Sequence, residues 1–204
     1  MPRTWIRERK RDFYYRKAQD DKFRSRASYK LLQAVKKYRF MKKGDVVVDL
    51  GAAPGGWLQA SRKIVGDRGF VLGVDLKNID PLEDANVFTV VGDITDSETQ
   101  SLIEKILPSF ANVVISDASP NISGVWEVDH ARQIELAQKS LEIALKFLEV
   151  NGNFFVKVFQ GDIFQKFVKN VKQHFDRVEI IKPKASRAKS SEIFVLGIGL
   201  RIDA

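Results

Sequence analysis

Lys157 stands in the run Asn153-Phe154-Phe155-Val156-Lys157-Val158-Phe159, where a buried strand should carry no charge. An unpaired buried ammonium costs several kcal/mol, so this lysine needs acidic partners, a shift toward the neutral amine, or an edge position from which its stem reaches water. The first two define a functional-site candidate; the last is ordinary surface chemistry. The carboxylate best placed to answer Lys157 is Asp117, directly beyond the apolar run Asn112-Val113-Val114-Ile115-Ser116. Two such runs ending side by side would bring the lysine its counter-charge. Glu192 opens the last apolar run, and Lys30 lies on the first helical segment, close enough in principle to join them. Singly, each reads as a surface residue. Four alternating charges converging beside a cleft are hard to explain as solvation.

Three further loops carry chemistry. Asp49-Leu50-Gly51-Ala52-Ala53-Pro54-Gly55-Gly56-Trp57 is a glycine-rich turn between an apolar run and a helical one. Glycines let the backbone turn sharply beside a ligand, and the following helix offers unpaired N–H groups. The spacing is neither the G-x-G-x-x-G of a dinucleotide site nor a P-loop. Asp75, 24 residues beyond Gly51, ends the next apolar run. It suits the two hydroxyls of an adenosine ribose, and equally a turn or helix cap. Asp93, in Val91-Gly92-Asp93-Ile94, is placed either to accept from an adenine amino group or to cap a turn before Asp96.

These loops need a scaffold. The apolar spacing predicts helices over 27–38, 56–64, 98–107, 128–148 and 163–175. Ser25 or Ser28 is the candidate cap of the first. Strands are predicted over 45–50, 70–74, 87–90, 112–116, 153–159, 177–181 and 192–199. Strands alternating with helices make an α/β fold, a doubly wound, mostly parallel sheet whose ligands lie beyond the carboxyl ends of its strands.

A chain of 204 residues with no linker-like stretch reads as one domain. Zero cysteines exclude disulfides, thiolate nucleophiles and cysteine-ligated zinc. His130 and His174 lie far apart without ligand spacing, so no metal is expected. No run reaches membrane-span length and no signal-peptide core begins the chain, which points to the cytoplasm. Residues 1–43 hold 16 Lys/Arg against 4 Asp/Glu, interleaved with Trp5, Phe13, Tyr14, Tyr15, Phe23 and Tyr29. Cations for phosphates and rings for bases or packing suit a nucleic acid, RNA above all. Lys182, Lys184, Arg187 and Lys189 form a second basic group.

Five segments in order carry a resemblance: Ser25 to Leu31, Asp49 to Trp57, Ser116 to Asn121 with Ser123-Gly124, Lys157 to Gly161, and Lys182 through Ser186-Arg187 to Glu192. Over nearly its whole length the chain resembles the FtsJ/RrmJ family of S-adenosylmethionine-dependent RNA ribose 2'-O-methyltransferases, closest to archaeal members acting on a uridine of 23S ribosomal RNA. The resemblance implies a Rossmann-like class I methyltransferase fold, a seven-stranded sheet with the last strand antiparallel. Residues 1–43 would form a basic arm and first helix of the same domain, and 44–204 the methyltransferase domain proper. The family's Lys-Asp-Lys-Glu catalytic set falls on Lys30, Asp117, Lys157 and Glu192. Its contacts to S-adenosylmethionine, and to the product S-adenosylhomocysteine, fall on Gly55, Trp57, Asp75, Asp93 and Asp117. Trp57 is expected to shape the donor pocket, Asp75 to hold the ribose and Asp93 the adenine.

On this reading Lys157 acts on the 2'-hydroxyl, either as a neutral base or as a cation that orients it, with Asp117 and Glu192 positioning it and Lys30 steering the substrate. Large-subunit ribosomal RNA or the assembled subunit is the expected partner, met through the basic arm and the Lys182 to Lys189 patch by a monomeric protein. Transfer RNA is the alternative substrate. A non-catalytic RNA-binding assembly factor is the alternative class. A nicotinamide-dependent oxidoreductase is disfavoured by the glycine turn.

Overall fold

The computed structural model describes residues 12–202; Trp5 and the rest of 1–11 lie outside the described residues. The basic arm contains a helix that apolar spacing alone does not announce, α1 (Phe13–Asp20). Asp12 caps it by accepting from the Tyr15 amide at 3.1 Å. Its inner face, Tyr14 and Ala18, meets Tyr29 and Ala185 in a small separate core. Tyr14, Phe23 and Tyr29 therefore pack on one another, with ring centroids 5.5 and 5.6 Å apart, instead of standing free for bases.

The body alternates as expected. β1 (Val46–Leu50), β2 (Phe70–Asp75), β3 (Val87–Val91), β4 (Ala111–Ser116), β5 (Leu148–Phe159), β6 (Phe175–Ile181) and β7 (Glu192–Leu200) form one sheet in the order β3-β2-β1-β4-β5-β7-β6. All pairings are parallel except those of β7 with β5 and β6. β1, β2 and β4 are near-continuous apolar runs because helices cover both sheet faces. α2 (Ser28–Tyr38) and α3 (Gly56–Val65) pack on one face, burying Leu31, Ala34, Trp57 and Leu58 against Val47, Ile115, Phe155 and Phe194. α4 (Ser97–Ile106), α5 (Trp126–Phe147) and α6 (Phe164–His174) cover the other, burying Ile103, Leu141 and Phe167 against Val48, Val114 and Phe154. Each fully buried side chain of this size stabilises by about 1.5–3 kcal/mol relative to exposure.

Some boundaries move. β5 begins at Leu148, five residues before the apolar run, and Asn151 with φ 66 accompanies the register shift beside β4. α5 starts two residues early, at Trp126. Neither serine caps α2, whose N-cap is Ala27. Ser25 accepts from the Ala27 amide at 3.0 Å. Ser28 donates at 2.8 Å to the carbonyl of Gly56, tying α2 to α3.

Period-two alternation decides what faces the site. Val47 and Asp49, Ile115 and Asp117, and Phe155 and Lys157 have the same parity on their strands, so all three charged residues share the α2/α3 face. β4 and β5 pair through Ser116 and Val156, and one step further Asp117 comes level with Lys157. On the other side Lys157 pairs with Phe194 and Phe159 with Glu192, which puts Glu192 on the same face, diagonal to Lys157.

Candidate active site

The four predicted charges meet. Lys157, 4 % exposed, sends Nζ 3.3 Å from Asp117 Oδ1 and donates to the Asp117 carbonyl at 2.7 Å and to Ser119 Oγ. The carboxylate contact has an ion pair's separation without a hydrogen bond's alignment, and Asp117 Oδ1 accepts no hydrogen bond. Lys30 crosses from α2, 2.7 Å from Glu192 Oε2 and 3.6 Å from Asp117 Oδ2. It also lies over the Phe194 ring, 5.6 Å from its centroid. Glu192 accepts from Ser186 Oγ at 2.8 Å through its other oxygen. The chain of charges thus runs Lys157, Asp117, Lys30, Glu192. Glu192 was expected to position Lys157; it holds Lys30 instead, because a diagonal neighbour across β5 and β7 is too distant for a direct pair.

The glycine turn lies alongside. Gly51 and Gly55 have φ +76 and +101, backbone that other residues rarely adopt. A Cβ on Gly51 would meet Ala118 Cβ at 2.6 Å, so this glycine lets the turn after β1 press against the loop after β4. A Cβ on Gly55 would meet Arg24 Nη1 at 2.8 Å. Arg24 spans the turn and the loop after β2, donating to the carbonyls of Pro54 at 3.3 Å, Asp80 at 2.5 Å and Pro81 at 2.8 Å. Nothing in the local sequence distinguishes it from the other arginines of the arm.

Asp75 accepts from the Ala53 amide at 2.9 Å and the Lys77 amide at 2.8 Å, which orients its carboxylate and leaves lone pairs for a ligand. Asp93 accepts from the Thr95 amide and hydroxyl, both at 2.8 Å, so the turn-capping role is occupied. Trp57 lies in the first turn of α3. Its indole is buried, stacks on Phe155 at 5.7 Å and donates to the Ala27 carbonyl at 2.7 Å. The side chain supports the floor beneath Lys157; its backbone, in the first turn of α3, is what borders the glycine turn.

Two residues escaped the sequence reading. Asp49, 1 % exposed, lies on β1 between the strands of Asp75 and Asp117, and neither of its oxygens has a hydrogen-bond partner. Burial first, then the charges of Asp117 and Asp75, push its carboxyl well above the ordinary range. A charge inside an apolar run was the available signal, the same that marks Lys157. Gln133 on α5, also buried, donates to the carbonyls of Ala118 at 3.2 Å and Lys157 at 3.1 Å, locking the loop to the strand. A polar residue on the inner face of a long helix was its signal.

Among the described residues, no three or more His, Asp or Glu are grouped to hold a metal ion, and no helix is long and apolar enough to cross a membrane. A groove of about 750 Å³ between α5 and α6, lined by Ile134, Gln138, Phe167 and Asn170, contains none of the predicted site residues.

A seven-stranded sheet with an antiparallel β7, a glycine turn after β1 and acidic residues at successive strand ends define a class I methyltransferase fold. A crystal structure of a putative ribosomal RNA methyltransferase from Plasmodium falciparum superposes with a TM-score of 0.77 at 26% identity, over 87% of this chain and 98% of that one. The MycE methyltransferase of mycinamycin biosynthesis, solved with Mg and SAH, matches at 0.58 and 12% identity, over 85% of this chain and 47% of its own. Residues 23–200 match the FtsJ-like methyltransferase family, and the chain belongs to it. It is 53% identical over 195 residues to the ribosomal RNA large subunit methyltransferase E of Methanococcus aeolicus, covering 96% of this chain and 72% of that protein. With the namesake from Methanocaldococcus jannaschii it shares 49% identity over 197 residues, 95% of this chain and 80% of the other.

Proposed function

We propose that the protein transfers a methyl group from S-adenosylmethionine to the ribose 2'-hydroxyl of a uridine in large-subunit (23S) ribosomal RNA. The observation that carries this reading is the Lys157–Asp117–Lys30–Glu192 chain, partly buried beside the glycine turn; half identity to ribosomal RNA large subunit methyltransferases E supports the substrate. Asp49, Asp75, Asp93 and Asp117 suit a donor with cationic centres, a ribose and an adenine. The orphaned Asp49 carboxyl and the Cβ-free turn at Gly51 and Gly55 favour the same fit. When bound, the donor supplies an electrophilic methyl: the 2'-oxygen forms the new C–O bond, the C–S bond breaks with its electron pair on sulfur, and S-adenosylhomocysteine leaves.

The chain's own work is to hold the hydroxyl and manage its proton. Lys157 Nζ meets the 2'-hydroxyl, taking the proton as an amine or orienting the oxygen as an ammonium. Asp117 fixes Lys157 by its carbonyl and Lys30 by its carboxylate, and Glu192 holds Lys30 where it steers the ribose or its phosphate. Fixed geometry of this kind can supply several kcal/mol of barrier reduction.

RNA would be gathered by the basic arm and the Lys182 to Lys189 patch. Between them lies a cavity of about 450 Å³ lined by Tyr15, Phe23, Arg24, Arg26, Pro54 and Arg187, bordering the glycine turn. Arg26 pairs with Asp12 and donates to the Ala185 carbonyl, and burial first, then Arg187, push its guanidinium below its ordinary value. We take residues 1–43 as part of the one domain, and the protein as a cytoplasmic monomer.

The test is incubation with radiolabelled S-adenosylmethionine and, separately, ribosomal RNA, assembled large subunits and transfer RNA, followed by mapping of the labelled ribose. Label on a large-subunit uridine that Lys157→Ala abolishes is the expected result. Label on transfer RNA alone would overturn the substrate, and label on no RNA despite donor binding would favour a non-catalytic RNA-binding role.

A further inference from the structure

We propose that in the free protein the Ser119 hydroxyl occupies the place on Lys157 Nζ that the substrate's 2'-hydroxyl takes during catalysis. This rests on the ribose-methylation reading and adds to it a residue with no role there.

An ammonium has three protons to donate and accepts nothing. At Lys157 two go to the Asp117 carbonyl and Ser119 Oγ, and the third faces Asp117 Oδ1. Lys157 is 4 % exposed, so a ribose hydroxyl that reaches Nζ takes the place of one of the groups packed around it. The two from Asp117 are not displaceable. Its backbone sits between the end of β4 and Ala118, whose carbonyl Gln133 holds, and its carboxylate is shared with Lys30.

Ser119 differs on every count. It is exposed, it stands on the loop after β4, and Lys157 is the side chain its hydroxyl meets. It is also the only one of the three groups that can both donate and accept, the property it shares with a ribose hydroxyl. It can accept from Lys157 as an ammonium and donate to it as an amine, so it satisfies Nζ in either form without fixing which is present. Exchange of one hydroxyl for the other conserves the hydrogen bonds at Nζ, while the released serine turns to water. The site thus avoids leaving a buried cationic donor unpaired before substrate arrives.

The two hydroxyls, one on the protein and one on the RNA, form a double-substitution cycle read by binding alone. The probe is a large-subunit RNA fragment spanning the nucleotide mapped by radiolabelling, with either ribose or 2'-deoxyribose there, titrated against donor-free protein by fluorescence anisotropy. In the wild type, removal of the 2'-hydroxyl should weaken binding by less than about threefold, because Ser119 stays in place. In Ser119→Ala the same removal should cost about tenfold or more, because Nζ is left short of an acceptor. Ser119→Thr, which keeps the hydroxyl, should restore the wild-type pattern, and thermal melting checks that both variants fold. Equal deoxy penalties in wild type and Ser119→Ala overturn the proposal, as does a tenfold penalty already present in the wild type. If the wild type methylates RNA ribose and the penalties are equal, only this inference falls; if it methylates no ribose, both fall.

Discussion

Glu192 Oε2 lies 2.7 Å from Lys30 Nζ, across 162 residues of sequence, and it is this contact that ties the helix α2 to the strand β7 at the site. The two side chains are 12% and 13% exposed, and Lys30 keeps a second carboxylate, Asp117, at 3.6 Å. Loss of Glu192 therefore leaves Lys30 partnered, and Glu192→Gln should change stability by no more than about 1 kcal/mol in urea titrations. Methyl transfer should fall by about 10²-fold or more in Glu192→Gln and in Lys30→Met. Because the two act as a unit, the double variant should be little worse than either single one. Additive losses would mean that Glu192 acts on something other than Lys30.

Lys157 tests the separation of function from stability. Lys157→Met keeps the stem and removes the charge at a position paired with Phe194 and two residues along the same face from Phe155. Asp117 retains Lys30, so stability should stay within about 1 kcal/mol of wild type or rise. Turnover should drop by about 10³-fold or more. Lys157→Arg separates the two roles for the amine: its fork keeps the charge and does not readily give up a proton. Near-wild-type turnover in that variant would exclude Lys157 as the base.

Part of this site is legible in the sequence. Lys157 and Asp117 were readable because a charge in, or just beyond, an apolar run violates the period that surrounds it, and parallel strands that end together bring such residues level. What sequence concealed depends on contacts between distant segments. Trp57 carries a motif position that suggests a ligand contact, yet its indole is captured by Phe155 and the Ala27 carbonyl. The helix α1 is hidden by its basic composition, and only packing on Tyr29 and Ala185 gives it an inner face. Which carboxylate serves which lysine is likewise decided by the diagonal register of β5 and β7, which no single strand encodes.

The glycine turn separates backbone strain from steric fit. Gly44 and Gly51 have similar φ, +86 and +76, but a Cβ at Gly44 meets nothing within 4 Å and one at Gly51 meets Ala118 at 2.6 Å. Gly44→Ala should lose about 1–2 kcal/mol from the left-handed backbone alone. Gly51→Ala should lose about 2–5 kcal/mol, since the loop after β4 must also move. Because that loop carries Asp117, binding of S-adenosylhomocysteine, measured by calorimetry, should weaken in Gly51→Ala and stay unchanged in Gly44→Ala. Equal stability losses would show that Ala118 gives way freely.

Asp49 should make the free protein less stable as pH rises. Its carboxyl is held well above the ordinary range, by burial first and then by Asp117 and Asp75. Between the unfolded value, about 4, and the raised folded value, the native state binds the extra proton. Stability is therefore greatest, as far as this group is concerned, at the acid end of that interval and declines through it. Asp49→Asn should remove this component, so urea titrations from pH 4 to 7 should show a less negative slope than wild type. A cationic donor beside Asp49 favours the carboxylate, so binding S-adenosylmethionine should expel a proton. Calorimetry in two buffers of different ionisation enthalpy should detect that release in the wild type and lose it in Asp49→Asn. An unchanged stability slope together with unchanged proton release would remove Asp49 from the donor site.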